Sequence, residues 1–213
     1  MLSDSSFRWA ARWARSWERL ALPLPSGAIF DQLLAAYRSD GRYYHTLQHL
    51  AECFGRLDEG AELAERMGEV EVGLWFHDAV YDTHRHDNES ASADWAVRVL
   101  RDAGAAPGIA GRVEQLILAT RHAAPPATPD QSLLVDVDLA ILGAGPERYA
   151  EYEDQVRREY AWVPEAEFRS RRRAILQGFL ARPFLYSTGF FRGRLESAAR
   201  ANLERAIARL EAA

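Results

Sequence analysis

Apolar residues recur three and four positions apart through almost all of this chain, and that period limits what it can fold into more than any other feature. Trp9, Trp13, Trp17 and Leu20 share one face of an opening helix, and Leu195, Ala199, Leu203, Ile207 and Leu210 share one face of a closing helix. Between them the spacing predicts helices over 28–38, 44–58, 61–80, 88–103, 108–122, 131–143, 146–160 and 164–180, with the closing one over 189–211. Turn signals divide them, among these Ser39-Asp40-Gly41, Pro107-Gly108, Pro125-Pro126 and Gly143-Ala144-Gly145. Val70 to Phe76 starts with strand-like alternation. No neighbouring segment offers it a partner strand, so it is read as a buried helix. The expected fold class is all-α: a helical bundle forming one domain over 1–213, with the helix of residues 1–25 packed onto it.

With 213 residues and 48% hydrophobic content the chain can bury a sizeable core. A net charge of −5 gives no general attraction to nucleic acid or to an anionic membrane surface, so neither is an expected partner. Cys53 stands alone, which rules out an internal disulfide or a cysteine zinc cage and suits a reducing cytoplasm. Asp4, Arg8, Arg12, Arg15, Glu18 and Arg19 interrupt the first twenty residues, so no signal peptide or membrane span is expected there and the predicted location is cytoplasmic. All 26 basic residues are arginine. The lack of lysine removes the phosphate-loop lysine, Schiff-base chemistry and pyridoxal attachment together, because each needs a primary amine.

The polar residues inside apolar segments carry the chemistry. His45 and His49 are four apart; on one helix they would lie about 40° apart in azimuth and about 6 Å along the axis, reaching one cavity. Taken alone, that pair reads more readily as two histidines held by ordinary hydrogen bonds. His77-Asp78 sits between Leu74-Trp75-Phe76 and Ala79-Val80-Tyr81, where burial of a charge demands a partner. Adjacent helical residues point about 100° apart, so a shared cation satisfies the doublet better than mutual pairing. Asp136 and Asp138 cannot both point the same way; Asp138 shares the face of Leu134, Ile141 and Leu142 and is the preferred ligand, and Asp136 can equally serve a helix terminus.

His49, His77, Asp78 and Asp138 therefore form the expected metal set. Nitrogen and oxygen donors without sulfur suit Fe, Mn, Ni, Co or Zn, as one or two ions. Open coordination would make the ion catalytic by activating water and polarising a phosphoryl oxygen. Arg42 and Arg121 flank these residues in sequence and offer forked recognition of phosphate. His84 and His86, in a polar loop, read as solvated. The run Arg169-Ser170-Arg171-Arg172-Arg173 reads as a solvated helix face, and the tryptophan stripe as core or as the seam of a homodimer.

The series His49, His77-Asp78 and Asp138 resembles the HD-domain superfamily of metal-dependent phosphohydrolases, an all-α fold. More closely, Tyr44-His45-Thr46-Leu47-Gln48-His49, Trp75 to Asp82, Asp87 to Ala91 and Asp136 to Gly143 look like a family of HD-type phosphohydrolases of about this length, over residues 25–212. Tyr44-His45 with His49 also looks like the corresponding segment of cyclic-nucleotide phosphodiesterases, although Thr46 stands where asparagine is usual there. By this resemblance His45 is the general acid, Asp78 is both ligand and catalytic group, and the substrate is a phosphomonoester or phosphodiester of a nucleotide or other small molecule. In some HD enzymes a histidine near His122 binds a second metal or the substrate phosphate, so His122 is assigned to substrate binding. Glu89 is assigned there too, although with Asn88 as N-cap it also fits a first-turn carboxylate. The alternative is a catalytically silent HD module that binds a nucleotide signal or a protein partner.

Overall fold

The computed structural model describes residues 4–212. Ten α-helices follow one another: α1 Asp4–Arg19, α2 Gly27–Ala36, α3 Leu47–Glu59, α4 Met67–Phe76, α5 Asn88–Asp102, α6 Pro107–Ala119, α7 Pro129–Asp138, α8 Pro146–Glu159, α9 Glu165–Leu180 and α10 Gly189–Ala212. Short 3-10 turns cover Ala61–Leu63 and Leu139–Gly143. Among the described residues there is no strand, and no helix is long and apolar enough to cross a membrane. The all-helical expectation holds in one compact domain.

Helix α4 is the hub. Every residue from Gly68 to Phe76 is buried, and α1, α3, α5, α6 and α7 all pack against it. Being enclosed on every side explains why its sequence has no polar face, and why strand-prone valines at 70 and 72 remain helical. Gly73 permits the closest approach: a Cβ there would stand 3.0 Å from Leu134 Cδ1 and 3.2 Å from Leu116 Cβ. The tryptophan stripe of α1 is core. Trp13 and Trp17 are buried, and Trp75 meets Trp9, Trp13, Phe30 and Phe54 with ring centroids 4.9–6.2 Å apart, mostly edge to face. Its indole N–H donates to Ser16 Oγ at 3.1 Å.

Three predicted helices are interrupted, each for a visible reason. The segment expected over 61–80 breaks at Ala64–Arg66, where Asp130 accepts the backbone N–H groups of Glu65 and Arg66 and so caps α4. The segment expected over 44–58 begins only at Leu47, because Thr46 is the N-cap and accepts the N–H of Gln48. The segment expected over 131–143 leaves the α-form after Asp138 and continues as a 3-10 turn. The last two interruptions place His45 and Asp138 at element ends.

Candidate metal centre

The ends of four helices converge on one point. His49 lies in the first turn of α3, His77 directly follows α4, and Asp138 is the final residue of α7. His122 sits three residues beyond the end of α6. The C-termini of α4, α6 and α7 each present the negative end of a helix dipole there, and that arrangement favours a cation.

His49 Nε2 stands 3.1 Å from His77 Nε2, 3.4 Å from Asp78 Oδ2 and 3.3 Å from Asp138 Oδ1. His77 Nε2 is 3.0 Å from Asp78 Oδ2 and 3.6 Å from Asp138 Oδ1. Donors about 2.1 Å from a common ion and about 90–110° apart lie roughly 3.0–3.4 Å from each other, so these spacings suit a shared divalent cation. The tautomer is also right. His77 Nδ1–H donates to the Leu74 carbonyl at 2.7 Å, which leaves the Nε2 lone pair facing the cluster. Two nearly inaccessible imidazoles and two partly accessible carboxylates leave one open side, with Asp78 17% and Asp138 13% exposed in their side chains.

The electrostatics point the same way. Burial works against charge on both carboxylates, yet the neighbouring histidines hold Asp78 and Asp138 well below the usual carboxylate range. Burial likewise works against His49⁺, but Cys53, Tyr44 and the two carboxylates raise its pKa well above the usual value.

Cys53 was absent from the sequence-derived set and belongs in the neighbourhood. His49, Cys53, His77 and Asp138 each place a donor atom within 4.8 Å of the others, a group that can hold a metal ion. The expected absence of sulfur is therefore corrected. Its signal was present, since Cys53 follows His49 by four on α3. The thiol lies 3.6 and 3.7 Å from the two nitrogens of His49, and burial raises its pKa. Asp78 Oδ2 stands closer to the histidines, 3.4 Å from His49 Nε2 and 3.0 Å from His77 Nε2, and is taken as the fourth donor.

His45 reaches the site by a different route from the one its spacing suggested. It precedes α3, and Glu159 at the end of α8 places it. Glu159 Oε1 accepts the N–H groups of Tyr43, Tyr44 and His45 at 2.8, 2.8 and 3.0 Å. Oε2 faces His45 Nδ1 at 2.7 Å and accepts from Tyr81 Oη at 2.8 Å. The His45 ring stacks on Tyr81, with centroids 4.0 Å apart, and lies 5.9 Å from the His49 ring. Burial would raise the pKa of Glu159, but the His45 ring and the backbone donors hold it at about 2. Nothing in the sequence around Arg157-Arg158-Glu159 marks this residue.

Arg42 is not free for phosphate. Its guanidinium donates to Ser39 Oγ and to the carbonyls of His45, Asp78 and Ala79 at 2.6–3.1 Å, which occupies four of its five N–H groups. It is a strap that ties the backbones of His45 and Asp78 together. Arg121 bonds Ser90 Oγ and lies 3.9 Å from Glu89, so the two residues assigned to substrate answer each other at the rim. His122 is in place: its Nε2 is 3.0 Å from Asp138 Oδ2. Asp136 faces away, accepting the N–H groups of Ser187 and Thr188 at 2.7 Å each before α10. That separates the two aspartates as the helical azimuths implied.

A cleft of about 320 Å³ opens beside His49 and Asp138 between α3, the 3-10 turn and the start of α8. Its charged walls are mostly self-paired, Arg148 with Glu52 and Arg56 with Glu59. No family model, curated protein or solved structure matches the chain.

Proposed function

We propose that this chain is a metal-dependent phosphohydrolase of the HD type, acting on a small phosphorylated molecule. The observation that carries the reading is the five spacings of 3.0–3.6 Å that link the Nε2 atoms of His49 and His77 to each other and to the carboxylates of Asp78 and Asp138, brought together from three helices with the His45 ring 5.9 Å from that of His49. The sequence motifs support it by resembling that superfamily. A divalent ion of the Fe, Mn, Ni, Co or Zn group, held by these four residues, would supply Lewis acidity to a phosphoryl oxygen and acidify water.

The chain's own groups perform the rest. Glu159 holds His45 Nδ1–H, so Nε2 is the atom that gives a proton to the leaving-group oxygen. Asp78 uses Oδ2 toward the cluster, and its second oxygen accepts the proton of attacking water. Arg42 fixes both residues by gripping their carbonyls. The lack of lysine agrees with a mechanism that forms no imine and uses no phosphate-loop amine.

Elemental analysis of the purified chain, with turnover of aryl phosphate esters across added metals, tests the proposal. Asp78→Ala should lose bound metal and activity together, whereas His45→Asn should keep the metal and lose turnover by a factor of about 10²–10⁴. Full activity in the Asp78 variant, or ester binding with no phosphate release under any metal, refutes it.

A further inference from the structure

The loop from α9 to α10 holds a guanidinium that the mechanism above leaves unused. Arg182 Nη2 donates to the carbonyl of His122 at 2.9 Å, and its Cζ lies 4.5 Å from the centroid of the Phe179 ring. Among the described residues no carboxylate lies within 4.0 Å of it. Of the other arginines near the centre, Arg42 is spent on carbonyls, Arg121 lies beside Glu89, Arg148 pairs with Glu52, and Arg158 packs over the Tyr43 ring as Arg182 does over Phe179. Burial lowers the pKa of Arg182 with no acidic group opposing it. A half-buried cation in this state lacks a counter-ion.

Its position is built rather than incidental. Arg200 of α10 donates to the carbonyls of Leu180, Arg182 and Pro183 at 2.9–3.2 Å. Glu196 accepts the N–H groups of Leu185 and Tyr186, and Asp136 accepts those of Ser187 and Thr188. Asp136 is two residues from Asp138 on the same helix, so the loop carrying Arg182 is locked to the helix carrying a donor of the centre. The residue Arg182 grips is itself unusual. His122 has φ of +54°, a left-handed conformation that costs energy in a residue other than glycine, and its buried Nδ1 has no hydrogen-bond partner. That strained backbone turns the imidazole onto Asp138 while its carbonyl holds Arg182.

We infer that Arg182 is the phosphate-recognition residue of this centre and that its fork selects a phosphomonoester over a diester. This rests on the phosphohydrolase reading. One N–H of Arg182 is spent on His122, leaving four, enough for a two-pronged grip on two non-bridging oxygens. A monoester has three such oxygens and keeps one for the donor cluster. A diester has only two and loses one contact.

Inorganic phosphate titrated calorimetrically into the Mn²⁺-loaded full chain tests this without turnover. Arg182→Gln should weaken phosphate binding at least tenfold with metal content and thermal midpoint unchanged, and Arg182→Lys, which keeps the charge but not the fork, should fall between. With 4-nitrophenyl phosphate the Gln variant should raise KM at nearly constant kcat, and with bis(4-nitrophenyl) phosphate it should change KM less than threefold. Unchanged phosphate affinity in both variants, or no phosphate binding by the wild type, overturns the assignment. An equal effect on both esters overturns the monoester preference. Phosphate binding that depends on Arg182 in a chain that hydrolyses neither ester supports the clamp while rejecting the hydrolase.

Discussion

Replacing Glu159 by Gln isolates the carboxylate that places His45. The Gln carbonyl can keep the three backbone donors of Tyr43, Tyr44 and His45, so the loop retains its scaffold. What disappears is the negative charge facing His45 Nδ1. Glu159 titrates at about 2 in the folded chain against an ordinary 4.5. A folded pKa below the unfolded one contributes stability that is present above about pH 4.5 and is lost as pH falls toward about 2. The gap of about 2.5 units, at 1.36 kcal/mol each, sets a ceiling of about 3 kcal/mol near neutrality. By pH 3 the same relation leaves about 1–1.5 kcal/mol. Urea unfolding of metal-free wild type and Glu159→Gln, at steps from pH 6 to pH 3, reads this as a difference between the two proteins, so other carboxylates largely cancel. The wild-type advantage should shrink by about 2 kcal/mol on acidification. A difference that stays level within about 0.5 kcal/mol would show that the His45 ring and the backbone donors do not hold the Glu159 carboxyl low.

Two further substitutions probe the frame around the centre. Asp136→Asn leaves one oxygen for the N–H groups of Ser187 and Thr188, and should cost about 1–2 kcal/mol in urea unfolding while metal content stays at the wild-type level. Loss of metal would mean that Asp136 and not Asp138 faces the site. Gly143→Ala places a Cβ 2.7 Å from Leu195 Cβ and 3.0 Å from the Leu195 carbonyl oxygen, so α10 must shift. Thermal unfolding should register a loss of about 1–3 kcal/mol; a wild-type midpoint would show that the contact is not tight.

The inward set His49, His77, Asp78 and Asp138 could be read from the chain because each residue sits in or beside an apolar run, where only a shared partner relieves the cost of burial. Cys53 could have been added on the same grounds, since its spacing from His49 matches the helical period. The i, i+4 spacing puts His45 in the right neighbourhood for the wrong reason: Thr46 starts the helix after it, so there is no common helix face. For Arg42 and Arg121 the sequence offers only their proximity to the donor residues. Their N–H groups meet carbonyls, Ser90 and Glu89 instead, and no local pattern foretells that.

Residue period and the cost of burying polar groups, both local properties, set the helical class and the burial of α4 and lean slightly toward Asp138 over Asp136, which the cap on Ser187 and Thr188 then separates. Only the tertiary structure decided that Glu159 serves His45 across 114 positions, that Asp130 breaks the helix before α4, and that Arg182 stands beside His122 without a counter-ion. Those relations depend on where helix ends meet in space. An isolated carboxylate or guanidinium on an ordinary helix carries no period that could announce its distant partner.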